Sequence, residues 1–356
     1  SSGIIIRVSG VRVPPPALKQ QNVFRPPGFA WEAEFHAKIQ GSSNGSRDRN
    51  GCGLRTRGAY RLLRCQIAPA PPTDRHGDHT VNREGGPRRT RADARSLPGL
   101  LVEPSWLKER LGQPGVRPID LRDAAAHAAG HIPGASHLEL AELGVNDAGR
   151  DNVLLSAADF GALMVQRGVS KGDTVVVYDD QWGLAAARLL WALQHYGHDR
   201  VAVLNGGWDR WREEGGESAV VEGHVTPGDF EATPRAEVSA DTGWLVPRIE
   251  AGDVVLLDTR TPAEFDRGHL PGAVSWDWFT AVPAGSWNVS RDPEELLAEW
   301  RSLGIDPSDE VIVYCRSGMR AAHTFLVLRN AGFPRVRLYD GSWQEWSMTM
   351  EGGDDI

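Results

Sequence analysis

Cysteine is scarce in this chain of 356 residues, which holds only Cys52, Cys65 and Cys315. Three thiols make neither a disulfide framework nor a zinc site, and they fit a reducing, cytoplasmic setting in which a lone thiol stays free. Long apolar runs are missing as well. None approaches the roughly 18 residues of a membrane helix, and Ile4-Ile5-Ile6 is too short for a signal-peptide core of about 7–15 residues, so no membrane partner is expected. No group of His, Cys and carboxylates has metal-ligand spacing, so neither a metal nor a dissociable cofactor is expected. Basic charge is short from residue 100 onward, where 22 Lys and Arg face 40 Asp and Glu. An acidic body lacks the clustered cations that phosphate contacts need, which argues against nucleic acid as a partner. Residues 1–99 reverse the balance, with 17 Lys and Arg against 7 acids, but they lack sustained helical or strand periodicity. Such a segment, rich in Pro, Gly, Ser and Arg, buries too little apolar surface to offset its ordering entropy. It is expected to be a largely disordered extension, and Cys52 and Cys65 within it carry no functional weight.

What is present centres on Cys315. Glu310-Val-Ile-Val-Tyr314 is apolar and β-branched, Cys315-Arg316-Ser317-Gly318-Met319-Arg320 follows, and Ala321 to Leu328 continues at helical spacing. A short buried strand, a Gly-containing turn and then a helix make a βα unit. The turn aims its backbone N–H groups and the positive end of the helix at one point. A thiol at that point has its nucleophilic thiolate form favoured, and Arg316 and Arg320 push the same way. The reading requires position 315 to be ionised and reachable from solvent at the base of that bowl.

A repeat organises residues 100–349. Ile119-Asp-Leu-Arg122 and Gly130-His-Ile-Pro-Gly-Ala135 recur as Leu257-Asp-Thr-Arg260 and Gly268-His-Leu-Pro-Gly-Ala273, with eleven positions from Asp to His in each copy. Val175 to Tyr178 matches Val311 to Tyr314, and Asn205-Gly-Gly-Trp208 with Trp211 matches Asp340-Gly-Ser-Trp343 with Trp346. Strands alternating with helices predict an α/β fold with a central parallel sheet flanked by helices in each copy. The expected layout is an extension at 1–99, domains at 100–217 and 240–349, a Pro-containing linker at 218–239 and a tail at 350–356. Where the second copy has Cys315, the first has Asp179. A carboxylate cannot serve as the sulfur nucleophile, so the first domain is expected to be catalytically silent.

Taken together these motifs resemble the tandem-domain rhodaneses, the thiosulfate and 3-mercaptopyruvate sulfurtransferases, over about residues 101–346. The resemblance implies two tandem rhodanese-like domains and a double displacement. The Cys315 thiolate takes the sulfane sulfur of a small anionic donor, and a thiophilic acceptor such as cyanide then removes it from the persulfide. Backbone amides from Arg316 to Arg320 would hold the persulfide charge. Arg316, Ser317, Gly318, Met319 and Arg320 are the loop's substrate-binding candidates, and Arg260 is a further one, although its recurrence as Arg122 in the silent copy argues for scaffold. The loop is a hybrid. Ser317 stands where thiosulfate-type members carry Lys, Arg316 stands where mercaptopyruvate-type members carry Gly, and Met319-Arg320 suits single-domain rhodaneses. Glu264 occupies a place where the family often has Arg. Thiosulfate is the favoured donor because two loop arginines suit a compact dianion.

Other readings are weaker. A cysteine phosphatase needs Cys-x5-Arg, and Arg320 gives Cys-x4-Arg, with Ala321 at the required position. A relay module handing sulfur to a protein acceptor would use the same loop. His131 and His269 recur in both copies and are expected to be structural. His323 is a minor candidate for influencing the thiolate. Trp182, Trp343 and Trp346 are candidates for cleft walls.

Overall fold

The computed structural model describes residues 96–221 and 223–351. Most of the expected disordered extension, with Cys52 and Cys65, and residues 352–356 of the tail lie outside the described residues. Seven strands belong to the first half: β1 Leu101–Val102, β2 Val116–Asp120, β3 Ser136–His137, β4 Gly144–Asp147, β5 Arg150–Leu154, β6 Thr174–Tyr178 and β7 Val201–Leu204. Five belong to the second: β8 Ser239–Ala240, β9 Val255–Asp258, β10 Val274–Ser275, β11 Val311–Tyr314 and β12 Val336–Tyr339.

Each half builds a five-stranded, wholly parallel sheet, in the order β1-β7-β6-β2-β3 in the first and β8-β12-β11-β9-β10 in the second. The repeat extends to register. Asp120 pairs with Tyr178 between β2 and β6, and Asp258 pairs with Tyr314 between β9 and β11. The central strands β6 and β11 are buried throughout, as continuous Val and Ile runs must be when helices cover both faces of a parallel sheet.

The helices that follow the two central strands, Leu184–His195 and Met319–Asn330, pack against each other. Their apolar residues, among them Leu189, Leu190, Phe325 and Leu326, lie in one continuous core with β6 and β11. The two sheets therefore share a core. One element breaks the repeat. Strands β4 and β5 form an antiparallel hairpin in the first half only, turned by Ala148 and Gly149, both at positive φ, the geometry that matches the right-handed strand twist. Its tip region crosses to the second half, where Arg150 pairs with Glu345 and the N–H of Asp151 reaches Gln344 at 3.1 Å. Among the described residues no helix is long and apolar enough to cross a membrane.

Candidate active site

The repeated motifs prove to be one bracing circuit beneath the Cys315 turn. In the second half the Arg260 guanidinium donates to Asp258 at 2.6 and 2.9 Å and to the Gly268 carbonyl at 2.6 Å. Its face lies 4.6 Å from the Trp343 ring. The Tyr314 hydroxyl accepts the N–H of Leu270 at 3.1 Å. The first half repeats every contact: Arg122 donates to Asp120 and to the Gly130 carbonyl, stacks on Trp208 at 4.1 Å, and Tyr178 accepts the Ile132 N–H. Arg260, a substrate-binding candidate in the sequence, thus has its hydrogen-bonding capacity turned to Asp258 and Gly268. Its side chain is buried and its charge is committed to Asp258, because a guanidinium out of water needs a carboxylate partner. His269 and His131 each bond a backbone carbonyl one turn back and stack on Phe265 and His127, which makes them structural in both halves.

Above this circuit the chain leaves β11 at Cys315 and enters the helix at Met319. The turn is closed by Ser342, whose hydroxyl accepts the N–H groups of Cys315 at 3.2 Å and Gly318 at 3.1 Å while donating to the Tyr339 carbonyl. The N–H groups of Trp343 and Gln344 then take the carbonyls of Cys315 and Arg316. Ser342 is fully buried and sits at φ +53°, a conformation that an L-residue holds only where its surroundings impose it. Gly318 is required twice over. Its φ is +82°, and a Cβ there would lie 2.8 Å from both Arg188 Nη1 and Asp340 Oδ1.

Cys315 is the free cysteine among the described residues and is 1 % exposed. This corrects the expectation of a thiol reachable from solvent, since the turn and its covering side chains close over it. It lies within the continuous apolar core, and Arg320 is the second residue of the helix that follows the turn. Burial works against the Arg320 charge, but Glu264, Cys315 and Asp277 outweigh it and hold the guanidinium above its ordinary range.

Both loop arginines meet carboxylates. Arg320 forms a bidentate pair with Glu264, at 2.7 and 2.8 Å, and each side chain is about a fifth exposed. Burial pushes the Glu264 carboxyl up, yet the Arg320 pairing and the bonds to Thr261 bring it down to about 2. Arg316, 61 % exposed, reaches Asp151 on the hairpin at 3.0 Å. Each loop arginine expected to meet an anionic donor therefore already has a carboxylate partner. Ser317 Oγ accepts a long bond from Asn152 of the same hairpin, and Met319 opens the helix in a half-buried position. His323 is buried, donates to the Val289 carbonyl at 3.0 Å, and burial lowers it to about 4, so it sits neutral at physiological pH as a tie rather than a charge beside the thiol.

The first copy shows what such a turn does with a carboxylate. Asp179 takes four backbone N–H groups, from Gln181 and Gly183 on one oxygen and from Ala185 and Ala186 on the other, all at 2.8–2.9 Å. Burial pushes its carboxyl up while those amides oppose the shift. The turn is one residue longer than its counterpart, and the added length carries Trp182 at φ +53° across to the second half. There its indole N–H donates to the Ser286 carbonyl and its ring meets the edge of Phe279 at 5.8 Å. A cavity of about 160 Å³ lies on the hairpin side of the Cys315 turn, walled by Asp151, Tyr339, Gly341 and Gln344. Cys315 is not among its walls.

The sequence reading missed Asp151, Asn152, Arg188, Ser342 and the pairing of Glu264. Only Glu264 had a local signal, since Thr261-x-x-Glu264 before a helix is a capping box, and the structure forms it. Among the described residues no group of three or more His, Cys, Asp and Glu is placed to hold a metal.

A family profile described as Rhodanese-like domain matches residues 103–214 and 241–349. Thiosulfate sulfurtransferase of Corynebacterium glutamicum is 34% identical over 287 residues, covering 72% of this chain and 92% of the relative. Thiosulfate sulfurtransferase of Pseudomonas aeruginosa is 36% identical over 258 residues, covering 69% and 93%. Among solved structures, SseA from Escherichia coli, described with the "Rhodanese" fold and catalytic mechanism of 3-mercaptopyruvate sulfotransferases, aligns with a TM-score of 0.63 at 27% identity, over 69% of this chain and 99% of that one.

Proposed function

The chain belongs to the rhodanese family, and we propose that it is a sulfurtransferase whose second half carries sulfur on Cys315 while its first half is silent. With thiosulfate as donor, the Cys315 thiolate attacks the outer sulfur, the S–S bond of the donor breaks and sulfite leaves with the bonding pair. A persulfide anion remains on Cys315. An acceptor such as cyanide then attacks the terminal sulfur, thiocyanate departs and the thiolate is restored. The two steps need no net oxidant and no cofactor.

The residues of the turn have separate parts in this scheme. The helix Met319–Asn330 directs its positive end at the sulfur, and the turn's amides stabilise the extra charge as preorganised donors do in an oxyanion hole. Arg320 favours the thiolate and faces the donor. Gly318 and Ser342 keep the turn in shape. The observation that carries the reading is the pair of equivalent turns: one already holds an anionic side chain on four amides, and the other places a cysteine at the same point, between β11 and the helix Met319–Asn330. A thiol used as a thiolate also suits the reducing cytoplasm, where it escapes disulfide formation.

A second reading takes 3-mercaptopyruvate as donor. It is favoured by the carboxylates on Arg316 and Arg320, which leave less net positive charge for a dianion. Steady-state transfer from each donor to cyanide, together with the intact mass of the protein after donor treatment, tests the proposal. A gain of about 32 Da that is lost in Cys315→Ser is the expected result. Turnover that survives in Cys315→Ser removes Cys315 as the carrier. Activity that appears only with an added protein acceptor favours a relay instead.

A further inference from the structure

We propose that Glu264 is the residue that sets donor specificity, tuning the site toward sulfane-sulfur donors that carry one negative charge and away from dianions. The inference rests on Cys315 being the sulfur carrier. It concerns which donor reaches that carrier, and it starts from how firmly the carboxylate is held.

Glu264 is the third residue of the helix Pro262–Asp266. Its Oε2 accepts the Thr261 N–H at 3.0 Å, the Thr261 hydroxyl at 2.9 Å and Arg320 Nη1 at 2.7 Å, while Oε1 accepts Arg320 Nη2 at 2.8 Å. A carboxylate fixed by a helix cap on one side and a two-point guanidinium contact on the other has little freedom to swing away. Arg320 consequently acts differently at short and long range. Cys315 shares its turn with Arg320, the second residue of the helix Met319–Asn330. A donor arriving from solvent meets a dipole, because the charges of Arg320 and Glu264 cancel beyond a few ångströms. The neighbouring pair, Arg316 with Asp151, is 61 % and 45 % exposed, so water screens both of its charges and it contributes little field. Asp277, half-buried and acting on Arg320, adds no positive charge. The thiolate is thus supported without a net cationic funnel. A dianion loses about twice as much attraction as a monoanion from this cancellation, because Coulomb energy scales with the charge of the ligand.

Glu264→Gln is the direct test, since Gln keeps the size and can close the same capping box while removing the charge. The probes are thiosulfate and methanethiosulfonate, which donate the same kind of sulfur and differ by one charge. Thiosulfate releases sulfite and methanethiosulfonate releases methanesulfinate, each leaving the same Cys315 persulfide. In Glu264→Gln the KM for thiosulfate is expected to fall about tenfold and that for methanethiosulfonate about threefold, with kcat changed less than twofold. The wild-type KM for thiosulfate is expected to vary little with ionic strength, and that of the variant to rise steeply with salt as screening removes the newly exposed field. Equal effects on both donors, or an unchanged thiosulfate KM in a variant of wild-type melting temperature, overturn the proposal. If the variant does not fold, a wild-type thiosulfate KM that rises severalfold between 20 mM and 500 mM salt overturns it without any mutation. Failure of both donors to add 32 Da to the wild-type protein is a different result, which removes Cys315 as carrier and the proposal with it.

Discussion

At the scale of single residues, the site is defined by which charges stay available. Cys315→Ser is expected to reduce transfer below 1 % of wild type at unchanged melting temperature, measured by thiocyanate formation, because a hydroxyl at this position is not ionised at neutral pH. Arg320→Ala removes the guanidinium that follows the Cys315 turn and also strands Glu264, whose carboxyl owes its low value of about 2 largely to that partner. A half-buried carboxylate left without its cation repels both thiolate and donor. The expected outcome is a fall of about a hundredfold in kcat/KM. Adding Glu264→Gln to Arg320→Ala is expected to restore about tenfold of that loss, a coupling that a double-mutant cycle measures. If the two substitutions simply add, the charge on Glu264 is not felt at the site.

Single elements explain why the motifs occur twice. The Asp-x-Arg, Gly-His-x-Pro-Gly, Tyr and Gly-x-Trp residues brace the ends of interior strands and the turn above them in both halves, which is why chemistry need not accompany them. Ser342 is the element-level device peculiar to the second half. Ser342→Ala leaves the buried N–H groups of Cys315 and Gly318 without their common acceptor. That is expected to destabilise the protein by about 1–3 kcal/mol, or roughly 2–4 °C in Tm for each kcal/mol, with loss of activity as the turn loosens. His323 gives the helix Met319–Asn330 a pH signature. Burial lowers its pKa from 6.5 to about 4, so between those values the unfolded chain binds a proton that the folded one refuses. Its contribution to stability is present above pH 6.5 and lost as pH falls toward 4. His323→Gln is expected to flatten the stability profile in that window by up to about 1.4 kcal/mol per pH unit, measured by urea unfolding at successive pH values. An unchanged slope shows that the histidine is charged in the fold or was never responsible.

At the scale of the molecule, the first half holds the second half's turn in place. Arg188, from the helix after the silent turn, donates to Asp340 at 2.6 Å and to the Asn152 carbonyl at 2.9 Å, and lies against the site that a Gly318 side chain would need. Its guanidinium also stacks on Trp191 at 4.8 Å. Arg188→Met is expected to cost about 2–4 kcal/mol, since Asp340 is left at a partly buried position without its cation. A lower rate of Cys315 alkylation by iodoacetamide should accompany it if the guanidinium also supports the thiolate. The shared core of the two helix faces leads us to expect one cooperative transition for both halves, seen as coincident unfolding by near- and far-ultraviolet circular dichroism. Two resolved transitions would show that the halves stand independently.

The sequence by itself determined the two α/β repeats, Asp179 in place of a cysteine in the first copy and the place of Cys315 at a strand-to-helix turn, because each is a matter of local pattern: β-branched runs, helical spacing and an eleven-residue interval that returns unchanged. The antiparallel hairpin was not legible, since Arg150 to Leu154 is only half buried and shows no clear alternation. The net charge at the turn was not legible either. Arg320 and Glu264 are 56 positions apart, and Arg316 and Asp151 are 165 apart. Charge cancellation depends on distance in space, and only the tertiary structure decided which carboxylate each arginine would meet.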